Sequence, residues 1–341
     1  MFKFLISDTK DQRESTLQRV EFILEDNLKR LCEGRKLSIP LIRYSGLQTV
    51  LDKNKQVFVQ QFSGDCLPVY HLEFPANTDQ KNRKFITKRD IFYNDKALFR
   101  TQYVVDRAVD HIALSLGIER QALNIVASPK GLIYADLTLT TKAGQVLEFS
   151  KANGETVAPV DCEIECIRPN SRIKGILVVE KEAVFRELCY TMHDYFIITG
   201  KGFPDFATSK LVHNLAACLP DVPIYGLADS DPYGLMIFIK YKFGSKVAYQ
   251  SHLMAVPRII YLGVSITDYH SGWLPMTEKD CNMALNILSH PHMTMSELKV
   301  IKDELQMQLF LGKKAEMNIA SKNGSKGITA YIRNKLLKYE K

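Results

Sequence analysis

The chain has 341 residues, of which 46% are hydrophobic and 24% are charged, and its formal net charge is +7. This balance is ordinary for a globular protein of about two domains, and it excludes a disordered tail, a collagen-like fibre and a coiled coil. Because no apolar run approaches the ~20 residues of a membrane span and the short apolar start differs from a secretory signal, we expect an intracellular protein with no membrane partner.

Two segments concentrate the positive charge. Residues 81–107 contain eight basic and three acidic residues, and residues 311–341 contain eight basic and two acidic residues. Clustered cations suit a polyanion such as DNA, because each phosphate contact releases condensed counterions. Charge alone leaves a simple solvated basic surface as the alternative.

The first 80 residues carry the weakest pattern. Apolar residues at helical spacing predict an amphipathic helix over residues 15–32. Residues 38–71 alternate over short runs, which favours short strands or loops, and the polar residues 77–84 are typical of a linker. We therefore assign residues 1–80 to an N-terminal helical or irregular region.

Residues 81–150 combine helices with a candidate β-hairpin. Residues 95–99 and 104–116 have helical spacing, and Gly117 suits a helix end. Two short apolar runs follow, at residues 123–126 and 132–134, separated by the turn sequence SPKG. Helices followed by a hairpin indicate a winged-helix domain, a module that places a helix in a DNA groove.

Residues 170–341 begin with alternating strands and helices. Strands are predicted at residues 176–179, 196–198 and 223–228, with helices at residues 183–193, 206–218 and 235–242. The right-handed crossover rule turns this order into a parallel sheet with helices on both faces, which is an α/β fold. A further helix is predicted within residues 297–311.

Acidic residues follow the first and third of these strands. Glu180 ends the first strand, and Asp229 and Asp231 end the third, where alternate residues point the same way. Ligands of open parallel sheets bind at this edge, and converging carboxylates suit Mg²⁺ or Mn²⁺. The competing interpretation of a single aspartate here is a helix N-cap, but it explains the whole set less well.

A glycine-rich loop, TGKGFPD at residues 199–205, follows the second strand. Its backbone can approach a phosphate closely, and Lys201 adds positive charge. The spacing differs from the Walker A motif, and no ATP-binding motif occurs in the chain. Phe203 on this loop is either a core anchor or a side chain that presses into a DNA minor groove.

Several motifs together resemble one known family. The segments VVEKEAVF (178–185), ITGKGFPD (198–205) and ADSDPYG (228–234) are similar to the Toprim domain of type IIB topoisomerase A subunits. They resemble more closely the eukaryotic transesterase that makes meiotic double-strand breaks, and its budding-yeast members in particular. The segment KRDIFY (88–93) resembles the catalytic tyrosine motif of that family, and KKAEM (313–317) resembles its C-terminal signature.

The resemblance implies a mechanism and a set of residues. Tyr93 attacks the DNA phosphodiester and forms a 5′-phosphotyrosyl link, helped by the cation of Arg89. Mg²⁺, or Mn²⁺ in its place, is held by Glu180, Asp229 and Asp231. The family brings tyrosine and acids together across a dimer. Position 92, often a second tyrosine in the family, is phenylalanine here, which leaves Tyr93 as the one phenol of the motif.

The same resemblance implies DNA contacts, protein partners and a cellular location. Lys88, Lys201 and Phe203 are expected to contact double-stranded DNA through its backbone and shape. Glu182 either assists as acid or base or stabilises the start of its helix. The expected partners are a second copy, other meiotic recombination proteins and a topoisomerase B-like transducer subunit. The expected location is the nucleus, on meiotic chromosomes.

Three functional alternatives remain open at this stage. A type IIB topoisomerase A subunit that reseals its breaks shares every catalytic residue with a meiotic enzyme. A catalytically inactive DNA-binding scaffold is disfavoured because the tyrosine, the arginine and the three acids are all present. A Toprim primase or nuclease is disfavoured because those enzymes lack the upstream tyrosine motif.

Overall fold

A computed structural model describes most of the second half of the chain and parts of the first. The described residues are 26, 37–42, 47–52, 57–62, 69–74, 86–116, 123, 125–126, 130–142, 144–153, 156–157, 164–244, 254–322 and 327–339. The predicted helix at residues 15–32 is described only at Asp26, which is helical, and the predicted linker at 77–84 lies outside the described residues.

The chain divides into two compact units. Unit 1 comprises Met1–Val50, Val59–Ser128 and Lys246–Gln250, and unit 2 comprises Leu51–Phe58, Pro129–Ser245 and Ser251–Lys341. The boundary between residues 128 and 129 falls inside the segment 81–150 that the sequence assigns to one domain.

Unit 1 combines short strands with helices. Its strands are β1 (Leu37–Ile42), β4 (Val69–Phe74), β5 (Ile86–Thr87) and β6 (Ile125–Val126), and its helices are α1 (Lys88–Asn94), α2 (Lys96–Phe99) and α3 (Gln102–Leu116). Strands β2 (Leu47–Asp52) and β3 (Val57–Phe62) are each divided between the two units. Strand β1 pairs with β4 in antiparallel fashion, β2 forms a sheet with β3, and β5 pairs with β6 in parallel. These elements confirm the predicted short strands and the two helices after residue 95.

Helix α1 begins at a capping box. The Thr87 hydroxyl accepts from the backbone N–H of Asp90, and the Asp90 carboxylate accepts from the backbone N–H of Thr87. The Lys88 ammonium then lies 2.8 Å from an oxygen of Asp110 on α3. One local motif and one ion pair between helices therefore fix the segment that contains the predicted tyrosine motif.

Unit 2 is a mixed α/β unit. Its strands are β7 (Leu132–Tyr134), β8 (Leu137–Thr141), β9 (Val146–Phe149), β10 (Thr156–Val157), β11 (Ile164–Pro169), β12 (Gly175–Val179), β13 (Tyr195–Thr199), β14 (Ile224–Leu227), β15 (Ile260–Gly263), β16 (Leu274–Pro275) and β17 (Lys313–Lys314). Its helices are α4 (Glu182–Thr191), α5 (Phe206–Cys218), α6 (Pro232–Phe243), α7 (Glu278–Leu288), α8 (Lys299–Leu311), α9 (Ile319–Lys322) and α10 (Gly327–Leu336), with short 3₁₀ turns at Lys151–Asn153, Ile266–Asp268, Pro291–Thr294 and Ser296–Leu298.

The main sheet has the spatial order β10-β7-β13-β12-β14-β15. Strands β13, β12, β14 and β15 are parallel, and β7 runs antiparallel to β13 at one side. Strands β11, β8 and β9 form a separate antiparallel sheet. The predicted parallel sheet is confirmed, together with each strand and helix predicted between residues 176 and 242.

Two hydrophobic clusters cover the two faces of the main sheet. Along β12, Ile176 and Val178 belong to the cluster that includes α5 and α6, whereas Leu177 and Val179 belong to the cluster that includes α4 and α10. All five residues of β12 are buried, as expected for a strand covered on both sides. This layering confirms the predicted α/β architecture.

The predicted β-hairpin of residues 123–126 and 132–134 is wrong. Strand β6 pairs with β5, whereas β7 pairs with β13 and β10 in the main sheet. Leu132 and Ile133 are buried in unit 2, so their apolar surface is covered by the core of that unit instead of by a partner strand at 123–126. A winged-helix domain therefore stays a prediction for unit 1, without this hairpin as its wing.

Polar contacts also attach the two residues before β7 to the rest of unit 2. The Asp205 carboxylate accepts from the backbone N–H groups of Lys130 and Gly131, at 3.0 and 3.1 Å. Gly131 packs so tightly that a Cβ there would lie 1.9 Å from the hydroxyl oxygen of Thr208. These long-range contacts explain why Lys130 and Gly131 lead into a strand of the main sheet. No helix among the described residues has the length and apolar character of a membrane span.

Candidate active site

The carboxyl ends of β12 and β14 bring two of the predicted acids into contact. The strands are parallel neighbours, with Val179 opposite Leu227. Glu180 and Asp229 follow these ends, and the backbone N–H of Asp229 donates to Oε2 of Glu180 at 2.9 Å. The sheet register, which follows from the apolar pattern of each strand, therefore places these two acids side by side as predicted.

The third acid, Asp231, lies two residues further on and begins α6. Its Oδ1 accepts from the backbone N–H of Gly234 at 2.7 Å, which makes Asp231 the N-cap of that helix. The helix-cap interpretation therefore accounts for one of the two carboxylate oxygens of Asp231. The other oxygen is not needed for the cap, so capping and cation binding are compatible at this residue.

Burial dominates the electrostatics of the three carboxylates. It raises the pKa of Glu180 to about 7, and the negative charge of Asp229 adds to the effect. Burial also raises the pKa values of Asp229 and Asp231. Charged oxygens withdrawn from water in this way gain stability from any cation that reaches them.

One such cation is already present as Lys181, which sequence reasoning did not single out. Its ammonium lies 2.7 Å from Oδ2 of Asp229 and 3.3 Å from Oε2 of Glu316. Burial alone would lower the pKa of Lys181, but its hydrogen bond and charge pairing with Asp229 outweigh that effect and raise it. The other Asp229 oxygen, Oδ1, accepts from the backbone N–H of Met317 at 2.8 Å.

The C-terminal signature and a glycine complete the surroundings of the acids. Glu316 and Met317 belong to the KKAEM segment, whose contact with the acids no local sequence pattern predicts. A Cβ at Gly234 would lie 2.4 Å from the carbonyl oxygen of Asp229 and 3.0 Å from Oε2 of Glu180. The helix after the acids therefore approaches them at a distance that only glycine permits.

The donor chemistry of the acids fits a divalent cation, although no described group of three or more Asp, Glu, His or Cys side chains is arranged as a metal cluster. All candidate ligands are carboxylate oxygens, the type that Mg²⁺ and Mn²⁺ prefer. Asp229 has both oxygens engaged, with Lys181 and Met317. Lys181 therefore supplies the positive charge beside Asp229 in this structure.

Glu182 lies at the first position of α4 and is engaged in two ion pairs. Its carboxylate is 2.6 Å from the guanidinium of Arg186 and 3.2 Å from the ammonium of Lys201. These two hydrogen bonds, that of Arg186 first, lower the pKa of Glu182. An ionised carboxylate at a helix start is favourable, and it accepts protons or hydrogen bonds instead of donating them.

The glycine-rich loop presents Phe203 to the surface. Lys201 and Gly202 both have positive φ values, +51° and +85°, which bends the backbone sharply. Lys240 supports the loop, because its ammonium donates to the Pro204 carbonyl at 2.8 Å and lies 5.9 Å from the centre of the Phe203 ring. Phe203 is 42% exposed, which disfavours the core-anchor interpretation.

In unit 1, Tyr93 lies on the outer surface of α1. Its side chain is 59% exposed, and the Lys96 ammonium is 4.8 Å from the centre of its ring. Arg89 is also exposed and lies four residues earlier, on the same face of the helix. Lys88, in contrast, is turned towards α3 by its ion pair with Asp110, so its predicted DNA contact stays a prediction.

Comparisons with known proteins assign a family to both parts of the chain. The family described as the Toprim domain of Spo11 and of the topoisomerase 6 A subunit matches residues 175–336. The family described as Type IIB DNA topoisomerase matches residues 76–125. These matches cover the acids and the tyrosine motif respectively.

Individual relatives agree with that assignment. Meiotic recombination protein rec12 of Schizosaccharomyces pombe is 34% identical over 68% of this chain and 66% of its own length. Meiotic recombination protein SPO11 of Mus musculus is 32% identical over 74% of this chain and 66% of its own. SPO11-1 of Arabidopsis thaliana is 30% identical over 94% of this chain and 93% of its own. The first two matches span just under two thirds of the relatives' lengths.

Proposed function

The chain belongs to the family of topoisomerase 6 A subunits and Spo11 proteins, and from this we propose that it cleaves DNA by transesterification to start meiotic recombination. The observation that carries the proposal is the contact of Glu180 with Asp229 at the carboxyl edge of the sheet, with Asp231 two residues further on and burial raising the pKa of all three acids. An exposed tyrosine beside an exposed arginine on α1 supports it independently.

In the proposed reaction, Tyr93 exchanges one phosphoester for another. Its phenolic oxygen bonds to the phosphorus of a DNA phosphodiester, and the bond from that phosphorus to the 3′ oxygen breaks. The 3′ oxygen leaves with a proton as a free hydroxyl, the phenolic proton passes to a base, and the 5′ phosphate stays on Tyr93. The step consumes neither water nor ATP, and Arg89 stabilises the charge that develops on the phosphate oxygens.

The acids serve as the cation site of this reaction. Glu180, Asp229 and Asp231 would hold Mg²⁺, with Mn²⁺ as a substitute, and the ion would supply stabilisation of charge on the reacting oxygens. The ionised form of Glu180 is required for this role, and burial makes that form costly until a cation arrives. Phe203 and Lys201 on the glycine-rich loop are the proposed DNA contacts of unit 2.

Cleavage of plasmid DNA by the purified full chain tests the proposal. With Mg²⁺ or Mn²⁺ and a detergent quench, the wild type should yield nicked or linear DNA with protein at the 5′ ends and free 3′ hydroxyls. Glu180→Gln should lower cleavage at least about a hundredfold, whereas Glu187→Gln, an exposed change on the following helix α4, should leave it unchanged. Equal cleavage by both variants would remove Glu180 from the mechanism.

We propose further that the enzyme acts as a dimer with hybrid sites, in which the tyrosine of one subunit serves the acids of the other. Mixing Tyr93→Phe with Glu180→Gln tests this arrangement. In a hybrid dimer the mixture has one intact site and nicks one strand, although each variant alone is inactive. If each site were built within one subunit, the mixture would stay inactive.

A resealing topoisomerase is the second candidate, because the family match over residues 76–125 is to type IIB topoisomerases in general. The two activities differ in the fate of the cleaved DNA. With a topoisomerase B-like ATPase partner, a topoisomerase relaxes supercoiled DNA and leaves intact circles, whereas a break-forming enzyme leaves covalent protein–DNA ends. We assign the break-forming role, in the nucleus and on meiotic chromosomes with a transducer-like partner, because meiotic recombination proteins are among the relatives.

A further inference from the structure

Ser230 lies between the two aspartates in the sequence, and its backbone is hydrogen-bonded to that of Ala315. Its N–H donates to the carbonyl of Ala315 at 2.8 Å, and its own carbonyl accepts from the N–H of Ala315 at 2.9 Å. Successive side chains of an extended segment alternate in direction, so Ser230 points away from Asp229 and Asp231. Its side chain is completely buried.

That side chain reaches a carboxylate on α8. The Ser230 hydroxyl donates to Oε1 of Glu304 and accepts from the side-chain amide of Gln308 at 3.0 Å. Oε1 of Glu304 also accepts from the backbone N–H of Ile266 at 2.7 Å, and Oε2 accepts from the hydroxyl of Ser265. Glu304 therefore joins three separate segments: α8, the turn after β15 and the acid segment.

The burial of Glu304 is unusual for a carboxylate. It is only 6% exposed, and no ion pair with it occurs among the described residues. Burial of a charge is costly unless hydrogen bonds compensate it, and three donors from two segments do so here. Fixed donors hold the Glu304 carboxylate in one orientation. The Ser230 hydroxyl that donates to it is restricted in turn.

We propose that Glu304 is a positioning residue that sets the orientation of Asp229 and Asp231 by holding Ser230. This inference rests on the proposed cation site, whose ligands it would align. Loss of the Glu304–Ser230 link removes the carboxylate that anchors the Ser230 side chain to α8 and to the turn after β15, while the backbone bridge to Ala315 and the contacts of Asp229 remain. Outer partners that orient ligands commonly contribute 10- to 100-fold to cation affinity, so an effect of about that size is expected.

Four variants of the full chain test the proposal. Glu304→Ala removes the link together with the bonds to the turn after β15, and Ser230→Ala removes the link together with the hydrogen bond from Gln308. Glu304→Gln keeps an acceptor for Ser230 and Ile266, and its amide donates to the Ser265 hydroxyl, which can rotate to accept. Asp303→Ala changes the exposed neighbouring carboxylate on α8 and serves as the control.

Two readouts separate positioning from general support of the fold. Mn²⁺ affinity, measured by electron paramagnetic resonance, should fall about 10- to 100-fold in Glu304→Ala and Ser230→Ala, and stay within about twofold in the other two variants. Hydrogen exchange should become faster at residues 228–235 and 313–317 in the first two variants and stay unchanged at α5. That local pattern is one that a general loss of stability does not produce.

The outcomes of these measurements decide whether Glu304 is a positioning residue. Unchanged Mn²⁺ affinity and exchange in Ser230→Ala and Glu304→Ala would overturn the proposal, as would faster exchange throughout unit 2. If the wild type binds no Mn²⁺, the proposed cation site fails, and the exchange pattern alone decides whether Glu304 holds the acid segment. Recovery by Glu304→Gln is the result expected if hydrogen-bond acceptance matters and charge does not.

Discussion

Glu180 should destabilise the cation-free protein at neutral and alkaline pH. Its carboxylate is largely withdrawn from water beside Asp229, and burial together with that charge raises its pKa to about 7. Replacement by glutamine keeps an oxygen to accept from the backbone N–H of Asp229 and removes the charge. Glu180→Gln should therefore increase the free energy of unfolding in the presence of a chelator.

The expected size of this stability difference follows from the pKa of Glu180 in the unfolded chain and in the folded protein. In the unfolded chain the carboxyl titrates near its ordinary value of 4.5, and in the folded protein near about 7. This difference corresponds to about 3 kcal/mol. Because the folded pKa is the higher one, wild-type stability is lost as pH rises from about 4.5 to about 7, and the loss is constant above that. The advantage of the variant should thus grow from about 1 kcal/mol at pH 5 to about 3 kcal/mol at pH 8.

The single tryptophan makes the assay specific to unit 2. Trp273 is half-buried there, with its indole N–H donating to the carbonyl of Ile266, so its fluorescence reports unfolding of the unit that contains Glu180. Urea titrations from pH 5 to pH 8 with chelator give the free energy of unfolding of each protein. Glu187→Gln, an exposed change on the following helix α4, serves as control and should show no pH-dependent difference.

A stability difference that is constant across this pH range would refute the reasoning, because a constant difference has no contribution from titration of Glu180. A difference of opposite sign, with the wild type gaining stability towards pH 8, would mean that the pKa is lowered instead. Excess Mg²⁺ should reverse the order at pH 8, since a bound cation stabilises the ionised wild type.

Three further predictions concern the neighbours of the two motifs. Gly234→Ala puts a Cβ against the Asp229 carbonyl, so urea unfolding should show a loss of about 1–3 kcal/mol; an unchanged midpoint would contradict the packing. Lys181→Met removes the cation beside Asp229, so Mg²⁺ should raise the thermal unfolding temperature more in the variant than in the wild type. An equal rise would mean that Lys181 does not neutralise Asp229 in the cation-free protein. Lys88→Ala breaks the ion pair with Asp110, so hydrogen exchange in α1 should become faster; normal exchange with weaker DNA binding would instead assign Lys88 to DNA contact.

The sequence predicted the central sheet because its strands carry a strong local signal. Each parallel strand is a short, continuous apolar run, and each helix has its own spacing, so β12 to α6 could be located without knowledge of the partners. The edge at which Glu180, Asp229 and Asp231 would lie then followed from the parallel order. Contact between Glu180 and Asp229 agrees with that expectation.

The remaining features depend on contacts between distant residues, which local patterns do not encode. Residues 132–134 have the composition of a hairpin strand, but their partner is β13 because Asp205 and the core of unit 2 stabilise them there. Lys88 and Lys181 are indistinguishable in sequence from solvated lysines, yet both have buried or half-buried carboxylate partners. Glu304 reaches Ser230 only through the packing of α8 against the turn after β15.

Identification of the DNA-linked residue tests the central claim most directly. Covalent protein–DNA complexes would be isolated under denaturing conditions, digested with nuclease and trypsin, and analysed by mass spectrometry for peptides that carry a nucleotide. We predict the adduct on the peptide of residues 90–96, whose one tyrosine is Tyr93, with loss of the adduct in Tyr93→Phe and retention in Tyr103→Phe, a change of another exposed tyrosine in unit 1. An adduct on any other residue, or one that persists in Tyr93→Phe, would contradict the account.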